Sequence, residues 1–422
     1  MVVGEFTEDV DVVVVGGGPA GYACAFALSA AGREVVIVDP RASLGGACLH
    51  EGCVPTKTIL HALATTDDRC SSSLQARIDT DRARIGRRLE TSAEAQSVRI
   101  VRGTARFLGP RELQVAAEEV TRLRFANAVI CTGSVRAALD DVPQCDLVIS
   151  PNSLPLDPSL AEGRVTVLGN DAIAIEAATI SAGLGADTIL VPGDQAVLAD
   201  IPRPLVDPMM VSASFVVSRD SISDIPASNL VIDARARTAS VDDLGLEDTD
   251  VTVADGWIQV DTSMRTTARR IFAAGDCVGP PLWAGAAMHR GRIAAETILG
   301  GNGAWDPATV AQLVYTTPEI CWCGDMQDCD PADTTCVVPW STSGLSVAAD
   351  TLDGVAMIRW NPGTGTVTGV GATGFEACKL ADGFTTAVEM GATLQDLADM
   401  VPSHPVQGDP LHLAAREALA SS

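Results

Sequence analysis

Lysine is almost missing from this 422-residue sequence: Lys57 and Lys379 stand against 27 arginines. That imbalance reads as the codon bias of a GC-rich genome more readily than as a functional choice, so the position of each lysine is informative. Positive charge is short overall. With 54 acidic residues against 29 basic ones the formal net charge is −25. Such a surface repels phosphate backbones and anionic headgroups, which excludes nucleic acid and acidic membranes as partners. Also missing is any apolar run near the ~18 residues of a spanning helix. The first ten residues, MVVGEFTEDV, lack the basic start and long apolar stretch of an export signal, so a soluble cytoplasmic protein is expected. There, twelve scattered cysteines are expected mostly as free thiols rather than as a scaffold. Internal repeats of solenoid period and low-complexity tracts are missing too.

What is present is globular: hydrophobic residues make up 47% of the chain, with 38 glycines. At roughly 150 residues per domain the length predicts two or three domains. Residues 10–40 read as a strand, a glycine turn, an Ala-rich helix and a second strand ending in Asp39, a βαβ unit of a parallel sheet. A second such unit starts at 164–169 and runs through a helix to the strand 187–192. Prolines at 151–158 and 201–208 weaken any regular reading between 200 and 228. Beyond Trp305 short strands bounded by Gly and Pro precede helical stretches at 379–400 and 410–421. The fold class is therefore α/β with two Rossmann-like domains, the second shortened, and a C-terminal α+β domain. The expected spans are 1–150 with 255–305, then 151–254, then 306–422.

Gly16, Gly18 and Gly21 form GxGxxG between strand and helix, with Asp39 closing the next strand. Glycines permit the tight turn, the helix N-terminus receives a pyrophosphate, and the acid accepts from a ribose hydroxyl. Shortly after comes GGACLHEGCVPTK, with Cys48 and Cys53 five positions apart and Lys57 beyond. On a helix those thiols share a face and could close a strained, reducible disulfide; the alternative is a pair of buried free cysteines.

These residues resemble the pyridine-nucleotide-disulfide oxidoreductases, in the branch holding dihydrolipoamide dehydrogenase, glutathione reductase and mercuric reductase. The family pattern GGxCxxxGCxPxK is met by Gly45, Gly46, Cys48, Gly52, Cys53, Pro55 and Lys57. Its ATGS segment appears as VICTGS with Thr132 and Gly133, and its second flavin motif as RTTARRIFAAGD with Gly275 and Asp276. YTTPEI at 315–320 and HPVQGD at 404–409 complete the set. The resemblance implies FAD as cofactor, held at the adenosine end by Gly16, Gly18, Gly21 and Asp39 and at the ribityl chain by Asp276. It makes Cys48 the interchange thiol, Cys53 the thiol against the flavin, and His404 a general base supplied by the other subunit of a homodimer. Asp409 stands where the family has Glu to hold that histidine, one methylene shorter. Lys57 and Glu176 match a pair that the family keeps beside the flavin.

The second nucleotide unit departs from the pattern. Gly169 is followed by Asp171 and Ala174 where glycines belong, the next strand ends in VPGD without a clear ribose-binding acid, and the later GRxPN segment reads DARART with Asp233 replacing Gly. A carboxylate where amides should cradle a diphosphate is repulsive. The expectation is that NAD(P)H binding is lost while the flavin side is intact. The function that fits is an FAD-dependent dithiol oxidase: a small-molecule dithiol, such as a specialised biosynthetic intermediate, reduces the Cys48–Cys53 disulfide, and O2 rather than NAD(P)+ accepts the electrons. The alternatives are an NAD(P)-linked disulfide reductase such as dihydrolipoamide dehydrogenase, and a non-catalytic flavoprotein.

Other features carry less. Cys321, Cys323, Cys329 and Cys336 read as small buried hydrophobes rather than as metal ligands, with a relay thiol pair as the alternative. His61, His289 and His412 read as loop or packed helix residues, and His50 as a group that could lower the pKa of Cys48. Trp257, Trp283, Trp340 and Trp360 read as core.

Overall fold

The first β-strand is apolar on both faces because it is covered on both. β1 (Thr7–Val15) sends Val12 and Val14 into one buried cluster and Val13 and Val15 into another, as the period of two dictates. The structure, a computed structural model, describes residues 7–117, 119–137, 141–143, 145–151, 163–327 and 333–421. After β1 come α1 (Pro19–Ala30), β2 (Val35–Asp39), α2 (Gly46–His50), α3 (Cys53–Thr65) and α4 (Ser71–Ala95). Then follow β3 (Arg99–Arg102), β4 (Thr104–Gly109), β5 (Glu112–Ala116), β6 (Thr121–Ile130) and β7 (Ser134–Arg136).

The chain next builds a second sheet from β8 (Cys145–Ile149), β9 (Arg164–Leu168), α5 (Ala172–Gly183), β10 (Asp187–Val191), α6 (Arg203–Ser212), β11 (Val216–Val217) and β12 (Ser228–Asp233). It returns to the first sheet through β13 (Arg237–Ala239), β14 (Val253–Ala254), β15 (Trp257–Ile258), β16 (Ile271–Ala273) and α7 (Ala284–Ile298). The C-terminal part holds β17 (Gln312–Val314), β18 (Glu319–Gly324), β19 (Thr334–Pro339), α8 (Gly344–Ala348), β20 (Val355–Trp360), β21 (Val367–Gly374), α9 (Ala381–Glu389), α10 (Leu394–Asp399) and α11 (Asp409–Ser421).

The first sheet runs β3-β2-β1-β6-β5-β4, with β16 also pairing β6. Its β1, β2, β3, β6 and β16 are parallel, and β4 and β5 add an antiparallel flank. α7 lies against α1 so closely that a Cβ at Gly291 would sit 2.2 Å from the Ala20 carbonyl oxygen. The second sheet, β11-β10-β9-β12-β8, is parallel throughout. The third, β17-β18-β21-β20-β19, is antiparallel and buries Trp340, Trp360, Phe384 and the Ala-rich side of α11.

Two compact units result. One comprises the described residues of 1–58, 75–138 and 236–306; the other those of 59–74, 139–235 and 307–422, which takes in the second and third sheets. The seams differ from the expected 150/151 and 254/255. β8 pairs with β12 and so belongs to the second sheet, while β13 pairs with β7 and carries the chain back early. The weak reading of 200–228 also gives way, since α6 forms despite Pro208 inside it and buries Leu205, Val206 and Met209. α6 packs on β18, β20 and β21, and Thr373 Oγ1 donates to its Leu205 carbonyl. The helical stretch 379–400 breaks at Gly391 (φ +62°), and α10 restarts on a Thr393–Asp396 capping box. Trp257 and Trp283 are half-buried, unlike Trp340 and Trp360, which are core.

Candidate active site

In the first unit the turn after β1 passes through Gly16 (φ +104°), where a Cβ would lie 2.3 Å from the Cys131 carbonyl oxygen, so no other residue fits. The turn leads into the N-terminus of α1, preceded by Gly18. Gly46, which opens α2, meets Gly18 backbone to backbone: a Cβ on it would be 2.6 Å from the Gly18 Cα. The turn and the redox helix therefore abut. Asp39 is buried and accepts from the Gly17 amide at 2.6 Å and the Arg41 amide at 2.8 Å, so it fastens the glycine turn to β2.

The same unit supplies the other expected flavin contacts. Thr132 Oγ1 is buried with no partner, beside Gly133 (φ +76°). Gly275 (φ +88°) precedes Asp276, whose Oδ2 accepts from Ser134 Oγ at 3.1 Å. Burial pushes the Asp276 carboxyl above its ordinary range, while the Ser134 hydrogen bond and the charges of Arg237 and Arg290 pull it down. Arg237 was read only as part of the DARART segment; it donates to Ser134 Oγ at 2.9 Å and to the Ser134 carbonyl at 2.8 Å, bracing that hydroxyl. An orphaned hydroxyl, a glycine cradle at a helix N-terminus and a buried acid in one unit fit a dinucleotide such as FAD.

Cys48 lies in α2 and Cys53 opens α3, both as thiols rather than as a disulfide. Their side chains are hydrogen-bonded, and that bond is the first cause of the raised Cys48 pKa, followed by burial. The Lys57 ammonium acts in the opposite direction, and the Asp276 charge adds to the rise. The expected help from His50 is not made: its Nε2 lies 3.1 Å from the Ser43 carbonyl and 3.3 Å from Ser43 Oγ, and the charges acting on Cys48 are those of Cys53, Lys57 and Asp276.

In the second unit His404 Nδ1 lies 3.1 Å from Asp409 Oδ2, with the imidazole 70% exposed and the carboxylate 12%. Asp409 is the first residue of α11, and the amide of Val406 points at the same oxygen from 3.4 Å. The missing methylene thus costs no hydrogen bond. Glu176, on α5 and 5% exposed, accepts from the Tyr315 amide at 3.0 Å.

The nucleotide-like turn of this unit is closed by its own residues. Asp171 is the N-cap of α5 and accepts from the Ala174 amide at 3.0 Å, so a carboxylate already occupies a donor that a phosphate would need. Asn170 Nδ2 donates to Gln195 Oε1 at 2.8 Å and its carbonyl accepts from the Leu198 amide at 2.8 Å, which staples the segment after β10 onto the turn. At the end of β12, Asp233 is fully buried and holds Arg235 through two contacts of 3.0 and 3.1 Å, and Arg235 also meets Asp141 at 3.1 Å.

Cys321 and Cys323 point into the core of the third sheet, with thiols pushed up by burial, and Cys336 is half-buried. Cys329 lies outside the described residues. His61 and His289 are exposed, His289 against Trp305, and His412 Nδ1 donates to the Leu397 carbonyl at 3.1 Å.

Residues 10–211 and 217–291 match the family described as pyridine nucleotide-disulphide oxidoreductase, and residues 310–415 match its dimerisation domain. A dihydrolipoyl dehydrogenase of Vibrio cholerae is 29% identical, with 96% of this chain and 94% of that one covered. One from Thermus scotoductus is 30% identical, with 97% of each covered. Among solved structures, the Cu(II) complex of the HOCl-induced flavoprotein disulfide reductase RclA from Escherichia coli shares the fold at a TM-score of 0.89 and 20% identity, covering 97% and 99%. LpdA from Mycobacterium tuberculosis does so at 0.81 and 21% identity, covering 97% and 100%.

Proposed function

The chain belongs to the pyridine nucleotide-disulphide oxidoreductase family, and we propose that within it this chain is a dithiol oxidase of cytoplasmic location. It is a flavin-dependent oxidoreductase and its cofactor is FAD. The glycine turn with Asp39, Gly46, Thr132, Gly133, Gly275 and Asp276 would hold it. FAD, when bound, takes two electrons from the reduced cysteine pair and passes them to the acceptor.

Cys48 receives the substrate. One thiol of a small dithiol, deprotonated by His404 of a second copy, attacks Cys48 of the Cys48–Cys53 disulfide and releases Cys53; the second substrate thiol then displaces Cys48. Substrate leaves as a disulfide, with two electrons and two protons left behind. Asp409 fixes the tautomer of His404 and stabilises the imidazolium. Lys57 favours the thiolate at Cys48. With O2 as acceptor the sum is dithiol plus O2 giving disulfide plus hydrogen peroxide.

The observation that carries the oxidase reading is Asp171 capping α5 with its own carboxylate, since the Ala174 amide, one of the donors a nicotinamide nucleotide's diphosphate would need, is engaged from within and a negative charge sits at the helix start. The names of the relatives favour a second reading, an NAD(P)-linked dihydrolipoyl dehydrogenase. Anaerobic titration of the yellow protein separates them. Under the oxidase reading a small dithiol bleaches the flavin, NADH and NADPH do not, and air restores the colour with one peroxide for each dithiol oxidised. Rapid bleaching by either nicotinamide at micromolar concentration promotes the reductase.

A further inference from the structure

α4 grips the redox segment at three points. Thr58, buried five residues after Cys53, donates its hydroxyl to Asp81 Oδ2 at 2.8 Å. Arg82 donates through Nη2 to the carbonyl of His50, in the turn between the two cysteines. Gly86, one turn further, approaches Ser43 so closely that a Cβ would lie 2.8 Å from its hydroxyl. Arg82 also reaches Asp79 at 3.3 Å, and its Nε is buried with no partner. A buried unpaired donor is costly, and here it accompanies a guanidinium drawn inward to the His50 carbonyl. That carbonyl ends α2, where a cation is favoured.

Closing a disulfide brings two sulfurs to about 2.05 Å with a narrow range of Cβ positions. The ease of closure is an effective concentration, and it falls when the intervening turn is free to move. We propose that Arg82 is a positioning residue for the Cys48–Cys53 pair: by holding the His50 carbonyl it keeps the sulfurs together and stabilises the disulfide against the dithiol. The proposal rests on the reading of these cysteines as the redox pair.

The FAD-loaded enzyme is equilibrated without oxygen in graded ratios of oxidised to reduced dithiothreitol, then alkylated, and each thiol is counted by peptide mass spectrometry. In the exchange, oxidised dithiothreitol takes two electrons and two protons from Cys48 and Cys53 and leaves as its dithiol, while the Cys48–Cys53 bond forms. Arg82→Met is expected to need a roughly tenfold higher ratio to close, equal to about 30 mV for a two-electron couple. Arg82→Lys, which keeps a donor, recovers part of the loss, and Thr58→Val shifts closure the same way. Closure of Arg82→Met at the wild-type ratio overturns the proposal. Should that variant fail to fold, wild-type ratios in both Arg82→Lys and Thr58→Val overturn it equally. A wild-type enzyme that never closes the pair refutes the redox reading and the clamp together, whereas closing variants with unchanged ratios refute the clamp alone.

Discussion

Two sulfurs five residues apart have different surroundings. Cys48 is half-buried in α2, under the pull of Lys57 and the push of Asp276, whereas Cys53 is exposed at the start of α3. The proposed division of labour assigns Cys48 to substrate and Cys53 to flavin. Cys48→Ser leaves one sulfur facing oxidised flavin, and a long-wavelength charge-transfer band is expected in its absorption spectrum, absent from Cys53→Ser. The band in the opposite variant would reverse the roles. Both cysteines were legible in the sequence because a fixed spacing and a following lysine mark them. What Arg82 does was not, since a side chain that serves a distant carbonyl leaves no local pattern, and neither was Arg237, whose partner Ser134 lies over a hundred residues away.

At the scale of elements, α5 begins on a cap made by its own residue. Where the family pattern has glycines, Asp171 caps the helix, and Ala174, fully buried, packs where a Cβ at Gly169 would come within 2.9 Å. Asp171→Ala should cost about 1 kcal/mol of stability, the usual loss for an N-cap acid, read as a lowered Tm. Restoring glycine with Asp171→Gly and Ala174→Gly should still leave the flavin unbleached by NADH, because the buried Asp233–Arg235 pair remains. Bleaching by NADH in that double variant would show that Asp171 and Ala174 alone had closed the site. The β1-α1-β2 unit was legible from periodicity and its glycines. α6 was not: Pro204 suits a first turn, but Pro208 argues against a helix locally, and burial of Leu205, Val206 and Met209 against the third sheet overrides it. The seams at β8 and β13 were hidden for the same reason, because sheet membership is decided by a strand from elsewhere in the chain.

For the whole molecule the question is which chain completes a site. His404 and Asp409 form a hydrogen-bonded pair with a largely exposed imidazole, the proposed base, and they belong to the part that matches the family's dimerisation domain. If the base serves the cysteines of a second copy, each site takes its sulfurs from one chain and its histidine from the other. Cys48→Ser homodimers and His404→Ala homodimers should then each be inactive, for different reasons. In a mixed dimer one site carries both defects, and the other carries neither. Unfolding and refolding an equal mixture gives half of the dimers mixed by random pairing, each with one of its two sites intact, so about a quarter of wild-type turnover per site is expected. Exchange can be verified by a mass tag on one variant, independently of activity. Mixed dimers demonstrated by the tag with no recovered dithiol oxidation would mean that the base acts within its own chain, and the proposed second copy would lose its catalytic role.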